Sequence, residues 1–462
     1  MKKFVILLFS VVIVAGLIFT GCAGEGPAVP TKPEEPTTAP PTVPPEVPGA
    51  EYPQEILIGI PMHITGPLGM VSKGQIVAAD VALEEINGAG GIKNMGGAKL
   101  RVLTPDTQLV PDIAVSETER LITQEGVVVI IPTYMHGEEV AFTAQRFKCP
   151  ATQYQTIMPP TMSEEDWYVS RVFNDEDEDF FDNQAAYTLW NQEKGVDGPH
   201  SIAFLYGSNT WATEASAWGP PMFSDWGYDV VLEMPYMDGQ ATFMPEIAKL
   251  KAAKPDHLIL FMQAEHPVFN RELMEQQVDL PYGMITQGGE NSEYYAILPP
   301  EAYEYQFIHE DGDIWFPYRC YGDKLAQRHL DETGLPLATY ATNIYQGLWL
   351  IAQALERTEY SADIQTFRDN FQRAYLATDI SLDNCPDPQT CADGTPWCPQ
   401  LVRGSPTLSF MPSGHVTGRE GHACLSQWRN GRRVPMWPEH MRPPETEWQD
   451  LLVWPIPKWS ER

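Results

Sequence analysis

Apolar and polar positions change period in blocks along the chain. Residues 55–60, Glu-Ile-Leu-Ile-Gly-Ile, form a short strand pattern ending in the turn from His63 to Gly69. Gly74 to Asn87 then spaces its apolar residues as a helix does, and Gly88-Ala89-Gly90-Gly91 stops it. Strands are predicted at 99–103, 127–131 and 150–154, with helices at 112–124 and 138–147 between them. Strand and helix in strict alternation predict a parallel sheet covered by helices on both faces.

The alternation restarts at 201–206, Ser-Ile-Ala-Phe-Leu-Tyr. Strands follow at 229–234, 257–262 and 282–286, and helices at 211–223, 243–253 and 268–277. Two such runs predict an α/β protein of two Rossmann-like lobes. Ligands of open parallel sheets bind outside the carboxyl ends of the strands, so facing lobes would hold one between them. Helices at 323–333 and 340–357, a cysteine-bearing loop at 383–399 and short strands at 407–410, 421–428 and 434–437 complete the body. Residues 443–462 alternate Trp and Pro and are expected as a surface tail.

The first 21 residues follow another logic. Lys2 and Lys3 precede a nearly unbroken apolar run from Phe4 to Phe19, and Thr20-Gly21 sets small residues before Cys22. This is the pattern of a secretory signal, and a cysteine at the cleavage point matches a bacterial lipoprotein, with Cys22 lipidated as the first mature residue. The run is shorter than the ~20 apolar residues a spanning helix needs. Gly24 to Ala50 holds nine prolines with no apolar period, which predicts an extended tether on the extracytoplasmic side of the cell membrane.

Charge narrows the partners. Against 62 acidic side chains stand 30 basic ones, a formal charge of −32. Nucleic acid is excluded as a partner, because binding phosphates needs a basic footprint. An anionic bilayer is repelled as well, so membrane contact falls to the lipid anchor alone. Hydrophobic residues at 43% nonetheless suffice to build cores in most of the length.

Compact catalytic signatures are missing: no GxxxxGK[ST], HExxH or GxSxG occurs. The glycines at 88–91 end a helix instead of joining a strand to one, so they are no dinucleotide fingerprint. Asp175 to Asp179 fails as a calcium loop, with Phe180 and Ala186 where Gly and Glu would stand, and suits the acidic first turn of a helix over 179–190. Besides Cys22 there are Cys149, Cys320, Cys385, Cys391, Cys398 and Cys424. An even number in an exported chain favours disulfides. The last four lie near His415 and His422, which admits a metal site, but their spacings are not the tight knuckle of zinc sites. Neither a metal nor a cofactor is expected.

Aromatic and amide residues collect where strands end: Tyr134, Tyr154 and Trp211, with Gln155, Thr156, Gln263, Gln287 and Glu290. Such a lining suits a small ligand with an apolar body and a few polar groups.

Several segments in order resemble the type I periplasmic binding proteins, in the leucine/isoleucine/valine and amide-binding branch that serves ABC importers. They are Ile58-Gly59-Ile60 through Thr65-Gly66-Pro67, Gly74 with the helix to Asn87, Gly90-Gly91-Ile92, Asp106-Thr107-Gln108, Leu121-Ile122, Tyr345-Gln346-Gly347, Leu408-Ser409-Phe410 with Gly414, and Asn430-Gly431 before Val434-Pro435. The resemblance implies two lobes joined by three crossing segments: 52–172 with 318–405, and 173–317 with 406–438. It implies a non-enzymatic solute-binding protein working with ABC permease subunits. The positions matching the family's ligand loops are Tyr134, Met135, Gln155, Thr156 and Ile157, with Trp211 as the covering aromatic and Glu290 as the acid that receives an ammonium. Of the first five positions only Thr156 keeps a carboxylate-binding hydroxyl. An amide, a short peptide-like molecule or an aromatic acid is therefore expected before a plain branched-chain amino acid. The same fold also serves ligand-sensing modules that report to a separate signalling partner. An extracytoplasmic hydrolase would need a nucleophile and base that the sequence does not offer.

Overall fold

Val127 to Ile131 is apolar without interruption, and in the computed structural model all five side chains are buried. A strand covered on both faces reads this way, whereas a half-solvated one alternates. The structure describes residues 51–461, except 67–68, 134–135, 154–166, 173–197, 209, 263–264, 286–297, 311–322, 336, 338, 382, 391–395, 402–406, 411–415, 418–423, 431, 438–452 and 455. The chain divides into two units, Met1–Thr42 and Val43–Arg462, and the described residues all belong to the second.

The first sheet takes β1 (Glu55–Gly59), β2 (Lys99–Leu103), β3 (Val129–Ile130), β4 (Ala151–Gln153) and β5 (Val169–Arg171) in the order β2-β1-β3-β4-β5. Every pairing in it is parallel. Its helices are α1 (Gly69–Gly88), α2 (Pro111–Arg120, widening into a π-helical turn at Leu121–Glu125) and α3 (Gly137–Arg146). Ile56, Ile58 and Val129 pack with α1 into one core, while Ile130 packs with Leu121, Val140 and Ala144 into a second on the opposite face.

Asn87 explains how α1 meets β2. Its side chain accepts from Leu100 N at 2.8 Å and donates to Leu100 O at 2.9 Å, replacing a strand neighbour at that position. The glycine run that then turns the chain takes left-handed φ at Gly90 (116°) and Gly91 (74°), where a side chain would be strained.

The second sheet holds β6 (Ser201–Tyr206), β7 (Asp229–Pro235), β8 (His257–Phe261), β9 (Tyr282–Ile285) and β10 (Phe307–Glu310), with α4 (Thr210–Asp225), α5 (Met244–Ala253) and α6 (His266–Glu275). Read from one edge its order is β7-β6-β8-β9-β10, the order of the first sheet repeated. These pairings are parallel. β16 (Cys424–Arg429) and β17 (Arg432–Trp437) extend it antiparallel beyond β10.

Between β10 and β16 the chain returns to the first lobe. There α7 (Asp323–Thr333), α8 (Thr339–Leu355) and α9 (Ile364–Leu376) pack on it. The Tyr345 hydroxyl of α8 donates to Glu85 of α1 at 2.6 Å. Gly74 of α1 lies so close to His329 of α7 that a Cβ would come within 2.5 Å of the imidazole. A small sheet of β11 (Asp379–Ser381), β14 (Thr407–Phe410) and β15 (Val416–Thr417) follows, with the hairpin β12 (Gln389–Thr390) and β13 (Pro396–Trp397) between β11 and β14. Leu408 of β14 belongs to the first core, so β14 and its partner strand β15 sit with the first lobe. Among the described elements the chain thus passes between lobes three times: after β5, after β10 and after β15.

Most elements follow the periodic pattern, which predicts none of α9, β5, β10, β11 and β15, and the strands β12 and β13 stand where it predicts a loop over 383–399. Cys385 and Cys398 form a disulfide with Cα atoms 5.8 Å apart, while Cys149 is a buried free thiol. In the closing segment, expected as a surface tail, Val453 exchanges two hydrogen bonds with the Gln427 side chain. Trp459 Nε1 donates to Val278 O at 2.8 Å, and the Trp454 ring lies 6.3 Å from that of Phe307. The acidic run Asp175–Asp179 and its predicted helix, like the signal and tether, lie outside the described residues.

Candidate functional site

At the carboxyl edge of the first sheet, the pairing of β1 with β2 runs on past both strands. Ile60 N donates to Leu103 O, Met62 N to Pro105 O and Thr107 N to Met62 O, all within 3.0 Å. This brings the loop after β1 against the loop after β2. Asp106 then accepts from Thr65 Oγ1 at 2.7 Å, Thr65 N at 3.2 Å and Gln108 N at 3.0 Å. Desolvation works to raise the Asp106 pKa, but these hydrogen bonds outweigh it and hold the carboxyl below its usual range. The Thr133 hydroxyl, just beyond β3, donates to Pro61 O at 2.5 Å and ties the third loop to the first.

Two imidazoles stand in this edge. His63 is 1% exposed, and burial pushes its pKa down to about 4, with His136 adding to the effect and Asp106 opposing it. It is therefore neutral near pH 7. His136 directly precedes α3; its Nδ1 lies 4.0 Å from Glu139, and its Nε2 is buried with no hydrogen-bond partner among the described residues.

The carboxyl edge of the second sheet is built alike. Gly207 N donates to Phe261 O and Tyr236 N to Tyr206 O, continuing the strands. Ser208 N donates to Asp238 Oδ1, and Asp238 N donates to Ser208 Oγ, each at 3.1 Å. Glu265, at the start of α6, accepts from Gly239 N at 2.6 Å and from the Tyr236 hydroxyl at 3.4 Å. Glu272, two turns on, accepts from Phe243 N at 2.6 Å. His266 is buried, which lowers its pKa to about 3.

Trp211 lies in the first turn of α4, three residues after Ser208, and only its main chain is described. Tyr134, Met135, Gln155, Thr156, Gln263 and Glu290 lie outside the described residues, as does Cys22. Their described neighbours sit at carboxyl ends of strands: Thr133 and His136 around Tyr134 and Met135, Gln153 before Gln155, and Met262 before Gln263. The sequence reading did not single out Thr65, Asp106, Ser208 and Asp238 as site residues. Their common signal is a hydroxyl and an aspartate in the first two strand-to-helix loops of each repeat. Among the described residues no group of three or more His, Cys, Asp or Glu side chains is arranged to hold a metal ion, and no helix is long and apolar enough to cross a membrane.

The family model described as periplasmic binding protein matches residues 55–381. No curated protein matches the chain. Among solved structures, the branched-chain amino acid transporter substrate-binding protein LivJ of Streptococcus pneumoniae, in complex with isoleucine, is 15% identical. The match covers 82% of this chain and 97% of that one, with a TM-score of 0.62. A solute-binding protein of an ABC transporter from R. palustris, in complex with benzoate, is 12% identical over 83% and 95% of the two chains, with a TM-score of 0.65. The leucine-binding protein LivK of Thermotoga maritima is 16% identical over 82% and 97%, with a TM-score of 0.63. At these identities the likeness is one of fold.

Proposed function

The chain belongs to the periplasmic binding protein family, and on that premise we propose that it is the extracytoplasmic solute-binding component of an ABC importer. It captures one small solute between its two lobes and hands it to the permease subunits without changing it. The observation that carries this reading is the repeated strand order β2-β1-β3-β4-β5 and β7-β6-β8-β9-β10, with three chain passages between the lobes. Duplicated parallel sheets put two carboxyl edges, where such sheets bind ligands, at the service of one molecule. Three passages form a hinge about which the lobes close.

The ligand class is an amino-acid-like molecule, an amide or an aromatic acid. The isoleucine and benzoate held by two of the similar structures mark the ends of that range. Trp211, with Tyr134, supplies the apolar face. Gln155, Thr156 and Gln263 supply polar contacts, Met135 its main-chain N–H, and Glu290 receives a ligand ammonium where one is present. A carboxylate beside an aromatic face provides both charge and cation–π attraction. Cleavage before Cys22 and lipidation of its thiol would hold the protein at the membrane, with residues 24–50 as the spacer.

Calorimetry on the purified protein with leucine, isoleucine, valine, benzoate, 3,4-dihydroxybenzoate and short aliphatic amides tests the reading, and native mass spectrometry screens for a co-purifying solute. Saturable one-to-one binding with the ligand recovered unchanged is expected. Turnover of any bound compound would refute a transport role. Cys22→Ser should move the protein out of the membrane fraction; unchanged membrane association would refute the anchor.

A further inference from the structure

We infer that the two lobes hold their ligand-facing loops with the same device, a hydroxyl–aspartate latch, made by Thr65 and Asp106 in the first lobe and by Ser208 and Asp238 in the second. The inference rests on the solute-binding reading above and names residues that position the site without touching the ligand.

Topology makes the two pairs equivalent. β1 and β6 occupy the same place in the repeated strand order, and so do β2 and β7. Thr65 and Ser208 lie in the loops after β1 and β6, while Asp106 and Asp238 lie in the loops after β2 and β7. In each lobe the aspartate accepts from the main-chain N–H of the hydroxyl residue, Thr65 at 3.2 Å and Ser208 at 3.1 Å. The hydroxyl also bonds across, though differently. Thr65 Oγ1 donates to the Asp106 carboxylate at 2.7 Å, whereas Ser208 Oγ accepts from Asp238 N at 3.1 Å. The two pairs span 41 and 30 residues of sequence, so neither is a local turn.

Both latches are exposed, and the cores that hold the lobes together lie beneath them. Their work is therefore to limit the freedom of the loops they join. His63 sits two residues before Thr65, and Trp211 three residues after Ser208. A loop already in its bound arrangement loses less entropy when the ligand arrives. Glu265 steadies the second latch from behind through Gly239 N.

Amide hydrogen exchange on the ligand-free full-length protein reads the latches directly. Asp238→Ala should speed exchange at the Ser208 amide by about tenfold, and Ser208→Ala should do the same at the Asp238 amide. Asp106→Ala should expose the Thr65 and Gln108 amides, and Ser208→Thr should preserve protection at Asp238. Thermal midpoints should stay within about 2 °C of the parent, since surface changes of this kind cost little. Unchanged exchange at these amides, or faster exchange throughout a lobe, overturns the inference.

Affinity for isoleucine and benzoate separates this inference from the functional reading. Asp238→Ala should weaken whichever probe binds by about fivefold, and Trp211→Ala should weaken it more. Loss of affinity in Trp211→Ala with none in Asp238→Ala overturns the latch alone. Failure of Trp211→Ala to weaken binding counts against the carried-over site.

Discussion

The guanidinium of Arg368 ends on the main-chain carbonyl of Val127, with Nη2 at 2.6 Å and Nε at 3.0 Å, and Nη2 also donates to Ile122 O at 3.0 Å. Arg368 stands 241 and 246 positions along the chain from these carbonyls, which lie where the α2 segment gives way to β3. The chain that left for the second lobe thus returns to donate to backbone carbonyls of the first. Removing the arginine would take these charged donors from two carbonyls in a buried place. Arg368→Met is therefore expected to cost roughly 2–4 kcal/mol in urea unfolding. A loss below about 1 kcal/mol would mean that water reaches them.

Cys149 lies beside this contact. Its thiol is buried and faces the carbonyls of Val127 and Val128, and burial pushes its pKa up to about 12 against the pull of Arg368. Thiolate is the reactive form, so Cys149 should resist iodoacetamide in the native protein and react once unfolded. Peptide mapping after alkylation checks this, and native labelling at Cys149 would contradict it.

Acid should destabilise the protein before its carboxylates titrate. The imidazoles of His63 and His266 have folded pKa values of about 4 and about 3, below the ordinary 6.5. Between those values the unfolded chain binds more protons than the folded one, so stability falls as pH drops below 6.5. For His63 alone the loss from pH 7 to 5 is about 2 kcal/mol. Urea unfolding at both pH values measures it. A His63→Gln variant should show a shallower decline, and the same slope in both proteins would remove His63 from the account.

The disulfide Cys385–Cys398 closes a short loop beside the first core. Restricting the unfolded chain over a loop of this size contributes about 3 kcal/mol in the chain-entropy model. The double variant Cys385→Ser with Cys398→Ser should lose about that much, and non-reducing peptide mapping should recover the pair as one species. A different partner for Cys385 would contradict the pairing.

Legibility in the sequence followed periodicity. Val127 to Ile131 and Leu258 to Phe261 are continuous apolar runs, and such runs announce buried parallel strands. α9 was missed although Phe367, Phe371 and Tyr375 recur every four residues and Asp363 caps it through Thr366 N. Arg368 and Gln372 share its buried face, and buried polar residues blur an amphipathic stripe. Of the site, the places where strands end were legible, because alternation sets them. The latches were not. Thr65 and Asp106, or Ser208 and Asp238, become partners only when β1 pairs with β2 and β6 with β7, and hydroxyls and aspartates are too common to mark such pairs in advance.

Closure of two lobes over one solute is the central claim, and small-angle X-ray scattering during a ligand titration tests it most directly. With whichever compound of the calorimetric panel binds, the radius of gyration should fall and level off at one equivalent. A radius that stays constant through saturation would contradict a ligand held between the lobes.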